Sequence, residues 1–134
     1  MLIADAIRAA RAMRDTELPD ELFISWLSSH DGQVWENTIR NYANPGTKPV
    51  YDEETDTEAT SLLIPDPYDD IYIDYLVMRI DLAHHDIERY NNEAIVYASK
   101  RQDWANWYNR NQRWAATRQF DEIMPKFSTT QILF

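Results

Sequence analysis

Residues 65–76 read PDPYDDIYIDYL. Ile71, Ile73 and Tyr75 alternate with polar neighbours as in a half-buried strand, yet the prolines and aspartates before them suit the first turn of a helix. Past Tyr75 the alternation fails, because YLVMRI is apolar until Arg79, and only helical spacing accounts for Tyr68 through Ala83. On this reading Asp66 is the N-cap, Pro67 the first helical residue, and Asp69 and Asp70 are first-turn acids favoured by the helix dipole. Asp70, Asp74 and Asp81 form a narrow polar stripe broken by Val77. A helix that is apolar almost all round belongs at the centre of a bundle.

The rest of the chain points the same way. Only 2 glycines occur in 134 residues, too few for the turns and bulges of an all-β fold. Residues 2–14 put Ile3, Ala6, Ile7, Ala10 and Met13 on one helical face, with Arg8, Arg11 and Arg14 away from it. After the break at DTELPDEL, Pro19 or Asp20 opens a second helix with Leu22, Phe23, Trp26, Leu27, Val34, Thr38, Ile39 and Tyr42 at helical spacing. Gly32 inside that pattern costs about 1 kcal/mol relative to alanine, which predicts a kink or break near Asp31-Gly32. The prolines and glycine of NPGTKP, residues 44–49, end this helix.

VYDEETDTEAT has no helical face and predicts an exposed, mobile loop, followed by a short strand or extended arm at Ser61–Ile64. A turn near His84 leads into a helix from about Asp86 to Trp114, with Ile87, Tyr90, Ala94, Tyr97, Ala98, Trp104, Ala105 and Tyr108 inward. It would be about 40 Å long, more than a small domain needs for itself. The chain then breaks at Pro125 and closes on the apolar ILF, which calls for a surface to lie on. The expected fold is all-α: a small bundle of about four helices, one long acidic loop or hairpin, and an extended C-terminal arm. Residues 1–116 would form the domain, with loop 44–65 exposed, and residues 117–134 the arm.

Composition narrows the function. With 44% hydrophobic residues the chain can build a core without staples. It has no cysteine, so disulfides, thiolate metal sites and cysteine nucleophiles are excluded. A net charge of −10 argues against binding phosphate backbones. No targeting segment and no stretch long enough to span a bilayer is visible, so no membrane partner is expected.

Candidate chemistry is sparse. Asp81 and His85 lie one helical turn apart, as do His84 and Glu88, but His30 is the only other histidine to complete a metal site. The acids Asp52, Glu53, Glu54, Asp56 and Glu58 lack the spacing and central glycine of a calcium loop. No phosphate-binding glycine loop, nucleophile elbow or CxxC pair occurs. Neither a metal, a cofactor nor a catalytic residue is assigned, and the chain reads as a non-enzyme. WANWYNRNQRW, residues 104–114, interleaves Trp104, Trp107, Tyr108 and Trp114 with Arg110 and Arg113. Such a segment stacks on single-stranded bases or forms a protein interface, and the acidity of the chain favours core plus interface.

Three segments carry a resemblance: ELFISWLSSHDG at 21–32, PYDDIYIDYLVMRID at 67–81, and RYNNEA at 89–94 followed by ANWYNR at 105–110. In order and spacing the chain resembles the head–tail connector (adaptor, or head-completion) proteins of long-tailed phages, departing from them at His84-His85, where relatives tend to carry a turn such as Asn-Gly. The resemblance implies a dodecameric ring of identical subunits beneath the portal protein in the virion neck, assembled in the host cytoplasm. The ring would join the portal to the stopper or tail-completion protein, with DNA passing through the lumen unread. It also implies that the C-terminal arm reaches the portal. The partner-facing candidates are Trp107, Arg110, Trp114, Phe120, Met124, Phe127, Ile132, Leu133 and Phe134. The acids Asp52, Glu53, Glu54, Asp56 and Glu58 are candidates for a loop or lumen surface that repels DNA. The rival readings are a small all-α interaction or assembly module and a helical metal-dependent hydrolase.

Overall fold

A computed structural model describes residues 1–42 and 45–123, with side chains as far as Asn111. Four helices form the body: α1 (Ile3–Met13), α2 (Asp20–Asn37), α3 (Ile71–Ala83) and α4 (Ile87–Ile123), with a short 3-10 turn at Ile39–Asn41. No strand occurs among the described residues. The Leu2–Ser61 pairing is an isolated bridge that ties the start of α1 to the arm after the acidic loop.

Each helix forms where its apolar face can be buried. α1 buries Ile3, Ala6, Ile7 and Ala10, but Met13 is exposed because the helix ends there. The free N–H groups of its first turn find carbonyls in the loop: Ile3 donates to Thr60 at 3.1 Å and Ala4 to Thr57 at 3.0 Å. These are the orphan donors that every helix start must satisfy. α2 runs unbroken from Asp20 to Asn37, so the break expected near Gly32 does not occur. Asp31 and Gly32 are both buried, and the packing on either side outweighs a propensity penalty of about 1 kcal/mol.

α3 is the central element, as its apolar circumference predicts. Ile71, Tyr72, Leu76, Val77 and Ile80 are buried, and α3 packs against α1, α2 and α4. It begins at Ile71, not at Tyr68. Residues 65–70 form successive turns, including a cis Asp66–Pro67 bond, so Asp66 and Pro67 do not cap the helix. The turns bring Tyr68 against Trp107, ring centroids 5.4 Å apart, and Asp69 to the Met1 amino group at 3.2 Å.

α3 ends in a Schellman turn: Asp86 N–H donates to the Asp81 carbonyl at 2.9 Å and His85 N–H to that of Leu82 at 3.0 Å. His85 holds the left-handed position at φ 58°, a place glycine usually fills. α4 then runs back antiparallel along α3. Trp104 is its buried anchor, with Tyr97, Ala105, Trp107 and Tyr108 packed beside it. Ile87 and Ala98, expected inward, are exposed. With 37 residues α4 is about 55 Å long, against about 20 Å for the 13 residues of α3. It passes both Trp114 and residues 116–117 without a break. Among the described residues, no helix is long and apolar enough to cross a membrane.

Candidate functional site

Three features carry chemistry beyond ordinary packing. The first is a buried carboxylate. Asp31 is fully buried on α2 and accepts four hydrogen bonds. The Tyr51 hydroxyl (2.5 Å) and the Leu63 N–H (3.0 Å) donate to Oδ2, and the Tyr72 hydroxyl (2.7 Å) and His30 Nδ1 (3.1 Å) to Oδ1. The Tyr72 oxygen in turn accepts the Ile64 N–H at 2.7 Å. One buried charge is thus satisfied by donors from α2, α3 and both ends of the loop, as a desolvated carboxylate requires.

The Asp31 bond puts the His30 hydrogen on Nδ1 and leaves Nε2 buried without a partner. Burial pushes the His30 pKa down, against the pull of Asp31. The ring sits among Tyr75, Tyr72 and Tyr97, with centroids 4.5, 5.3 and 5.7 Å away. Burial, reinforced by the Asp31 charge, pushes the Tyr51 and Tyr72 hydroxyls up, so all three rings stay neutral near pH 7. These four donors occupy the carboxylate and tie the loop to α2 and α3.

The second feature is a seam of charges where α3 meets α1 and α4. Arg14 Nε donates to buried Asp81 at 3.0 Å and lies 3.7 Å from Glu93. Lys100 pairs with Asp74 at 2.6 Å and Asp70 at 3.0 Å. Burial and the neighbouring Asp74 charge raise the Glu93 pKa. The acidic stripe is therefore partly neutralised within the subunit, one cation to each pair of acids. Asp81 turns inward to Arg14, while His85 and Glu88 are exposed and His84 Nε2 lies 3.1 Å from Thr16 Oγ1. Among the described residues no group of side chains is arranged to hold a metal ion.

The third feature is the distal part of α4. Tyr108 packs on Tyr42, and the Tyr42 hydroxyl donates to Asn109 at 2.5 Å. Arg110 and Asn111 beyond it are exposed. Trp107, a candidate for a partner, covers Tyr68 and is half-buried in its own subunit. Trp114 and Phe120 lie on α4 with side chains outside the described residues, and Met124, Phe127, Ile132, Leu133 and Phe134 lie outside them altogether.

The loop acids Asp52, Glu53, Glu54, Asp56 and Glu58 are all exposed. Glu58 pairs with Arg8, and Asp52 closes a turn by accepting the Glu54 N–H at 2.9 Å. Between this loop and the outer side of α2 runs an open groove. One hollow of about 540 Å³ is lined by Glu21, Ser25, Tyr51, Glu53 and Glu54, and a second of about 380 Å³ by Gly32, Gln33, Glu36, Lys48 and Val50. They join at Ser28 and Ser29.

Periodicity alone missed the Asp31 site, because its donors lie 20, 32 and 41 residues away in sequence. The one signal was an aspartate and a histidine side by side between the apolar residues Leu27 and Val34 of the α2 pattern. Comparison with protein-family models, with curated proteins and with solved structures gave no match.

Proposed function

We propose that this chain is a non-catalytic structural subunit of the head–tail connector type, which assembles as a ring between a phage portal and the stopper or tail-completion protein. The supporting observation is the length of α4: a helix of about 55 Å packs on a helix of about 20 Å. A subunit that meets neighbours through two different patches uses such length in a closed head-to-tail assembly. The Asp31 site suits the same role, since it holds a long loop in one shape instead of leaving it to be ordered on binding.

The ring number of twelve, the place in the virion neck and the passage of DNA through the lumen follow from the resemblance in residues 21–32, 67–81 and 89–110. The test is to mix the purified chain with the portal protein of the phage that encodes it. The expected result is a discrete complex with several copies per portal, resolved by sedimentation velocity. Separate sedimentation at every ratio overturns the proposal.

A further inference from the structure

The first half of α4 turns Tyr97, Trp104 and Tyr108 to the body and its opposite face to solvent. A solvent face normally carries a helix's charges, and this chain is 27% charged. Yet from Tyr90 to Gln102 every exposed residue is uncharged: two asparagines, Ile95, Val96, Ala98, Ser99 and Gln102. Ile95 is 71% exposed and Val96 43%.

The outer face is ordered as a seam. Arg89, Asn92, Val96, Ser99 and Asp103 are all exposed and follow one another at alternating steps of 3 and 4, the repeat by which one helix tracks another. Ser99 and the adjoining Ala98 are small, so a second helix can approach closely. The ends of the seam carry opposite charges. Arg89 is exposed and held to its own Asp86 only at 3.4 Å, and Asp103 is exposed at the other end.

Arg89 and Asp103 each lie seven residues from Val96. A second copy laid antiparallel about Val96 therefore brings Arg89 of each copy to Asp103 of the other and sets Asn92 opposite Ser99. Ile95 and Val96 of both copies then form an apolar middle. Parallel copies would set Arg89 on Arg89 and Asp103 on Asp103.

We infer that two copies of this chain pair through the outer faces of α4, antiparallel and two-fold about Val96. The contact is isologous and ends at two copies. It is separate from the head-to-tail contacts of the ring reading and does not depend on them. The seam runs along about 21 Å of helix, which fits a weak, concentration-dependent pair at the low end of specific interfaces.

Charge reversal and cross-linking test it on full chains, with a thermal melt to confirm that each variant folds. In sedimentation velocity the wild type should pass from monomer to dimer between micromolar and millimolar concentration. Arg89→Glu or Asp103→Arg alone puts like charges at both ends of the seam and should weaken pairing at least about tenfold. The double variant Arg89→Glu/Asp103→Arg restores opposite charges and should regain wild-type association. Ile95→Glu, at a side chain that its own subunit leaves exposed, should also weaken pairing at least about tenfold. The chain has no cysteine, so one introduced thiol reports the axis. On oxidation Val96→Cys should link two copies at least about tenfold faster than Asn106→Cys, because only residue 96 meets itself within disulfide reach. A wild type that stays monomeric, single variants that pair like it, a double variant that does not recover, or equal cross-linking at both positions overturns the inference.

Discussion

Tyr72 of α3 donates a 2.7 Å hydrogen bond to Asp31 of α2, and the same carboxylate accepts the hydroxyl of Tyr51 from the loop. The loop is therefore anchored to the helical body through a charge that water does not reach. Replacing Asp31 with alanine takes the acceptor from two hydroxyls, a backbone N–H and the His30 ring N–H in the interior. The expected cost is about 3–5 kcal/mol, as when one partner of a buried charged cluster is removed. Tyr51→Phe removes one bond to a charged acceptor and should cost about 1.5–3 kcal/mol. Urea unfolding followed by fluorescence measures both, and an Asp31→Ala chain within 1 kcal/mol of wild type, about the error of such a comparison, contradicts the anchoring role.

His30 makes stability fall on mild acidification. Its pKa lies below the ordinary 6.5 because it is buried. Between 6.5 and its lower folded value the unfolded chain binds a proton that the folded chain refuses, so stability drops as pH falls through that window. The slope cannot exceed about 1.4 kcal/mol per pH unit for this one group. His30→Gln should flatten the pH dependence between neutrality and the carboxylate range. An unchanged slope in that variant shows that His30 is not the responsive group.

Alkali acts on the same cluster from the other side. The Tyr51 and Tyr72 hydroxyls are raised above their ordinary 10, so above pH 10 the unfolded chain loses protons that the folded chain keeps. Stability should decline there, and Tyr51→Phe should lessen the decline. Equal alkaline slopes in wild type and variant count against it.

His85 occupies the left-handed position of the α3 Schellman turn without being glycine. His85→Gly should raise stability by about 1 kcal/mol, because the backbone strain disappears while both closing hydrogen bonds remain. A lower melting temperature in that variant shows that the exposed imidazole makes a contribution the turn geometry does not reveal.

Gly32 offers a second gain, within a helix. An added Cβ meets Lys48 Cε at 3.3 Å, which is the flexible end of an exposed side chain and moves aside. Gly32→Ala is expected to stabilise by about 0.5–1 kcal/mol through helix propensity. Destabilisation means that Lys48 is held more firmly than its exposure indicates.

The helical architecture was legible because the apolar spacing of Ile3–Ala10, Phe23–Val34 and Leu76–Ile80 sums many burial terms of one sign. Single-residue punctuation was less reliable. Gly32 does not break α2, since the roughly 1 kcal/mol penalty is small beside the burial of the turns around it. Pro67 and Asp66 do not start α3, because contacts with Trp107 and Met1 decide where those turns lie. Arg14 was placed on the solvent side of α1, yet it turns in to Asp81, 67 residues away. The Asp31 cluster has the same character: its residue types are ordinary, and only the fold brings them together. The great length of α4 was visible in its pattern, but its continuation to Ile123 was not.

The proposal that this chain is a connector subunit is tested most directly by its copy number in purified phage particles, set against the portal protein by quantitative mass spectrometry. A ring joined to the portal predicts that the chain is retained in the particle at a fixed ratio near one copy per portal subunit. A chain missing from the particles, or present at a ratio that varies between preparations, contradicts it.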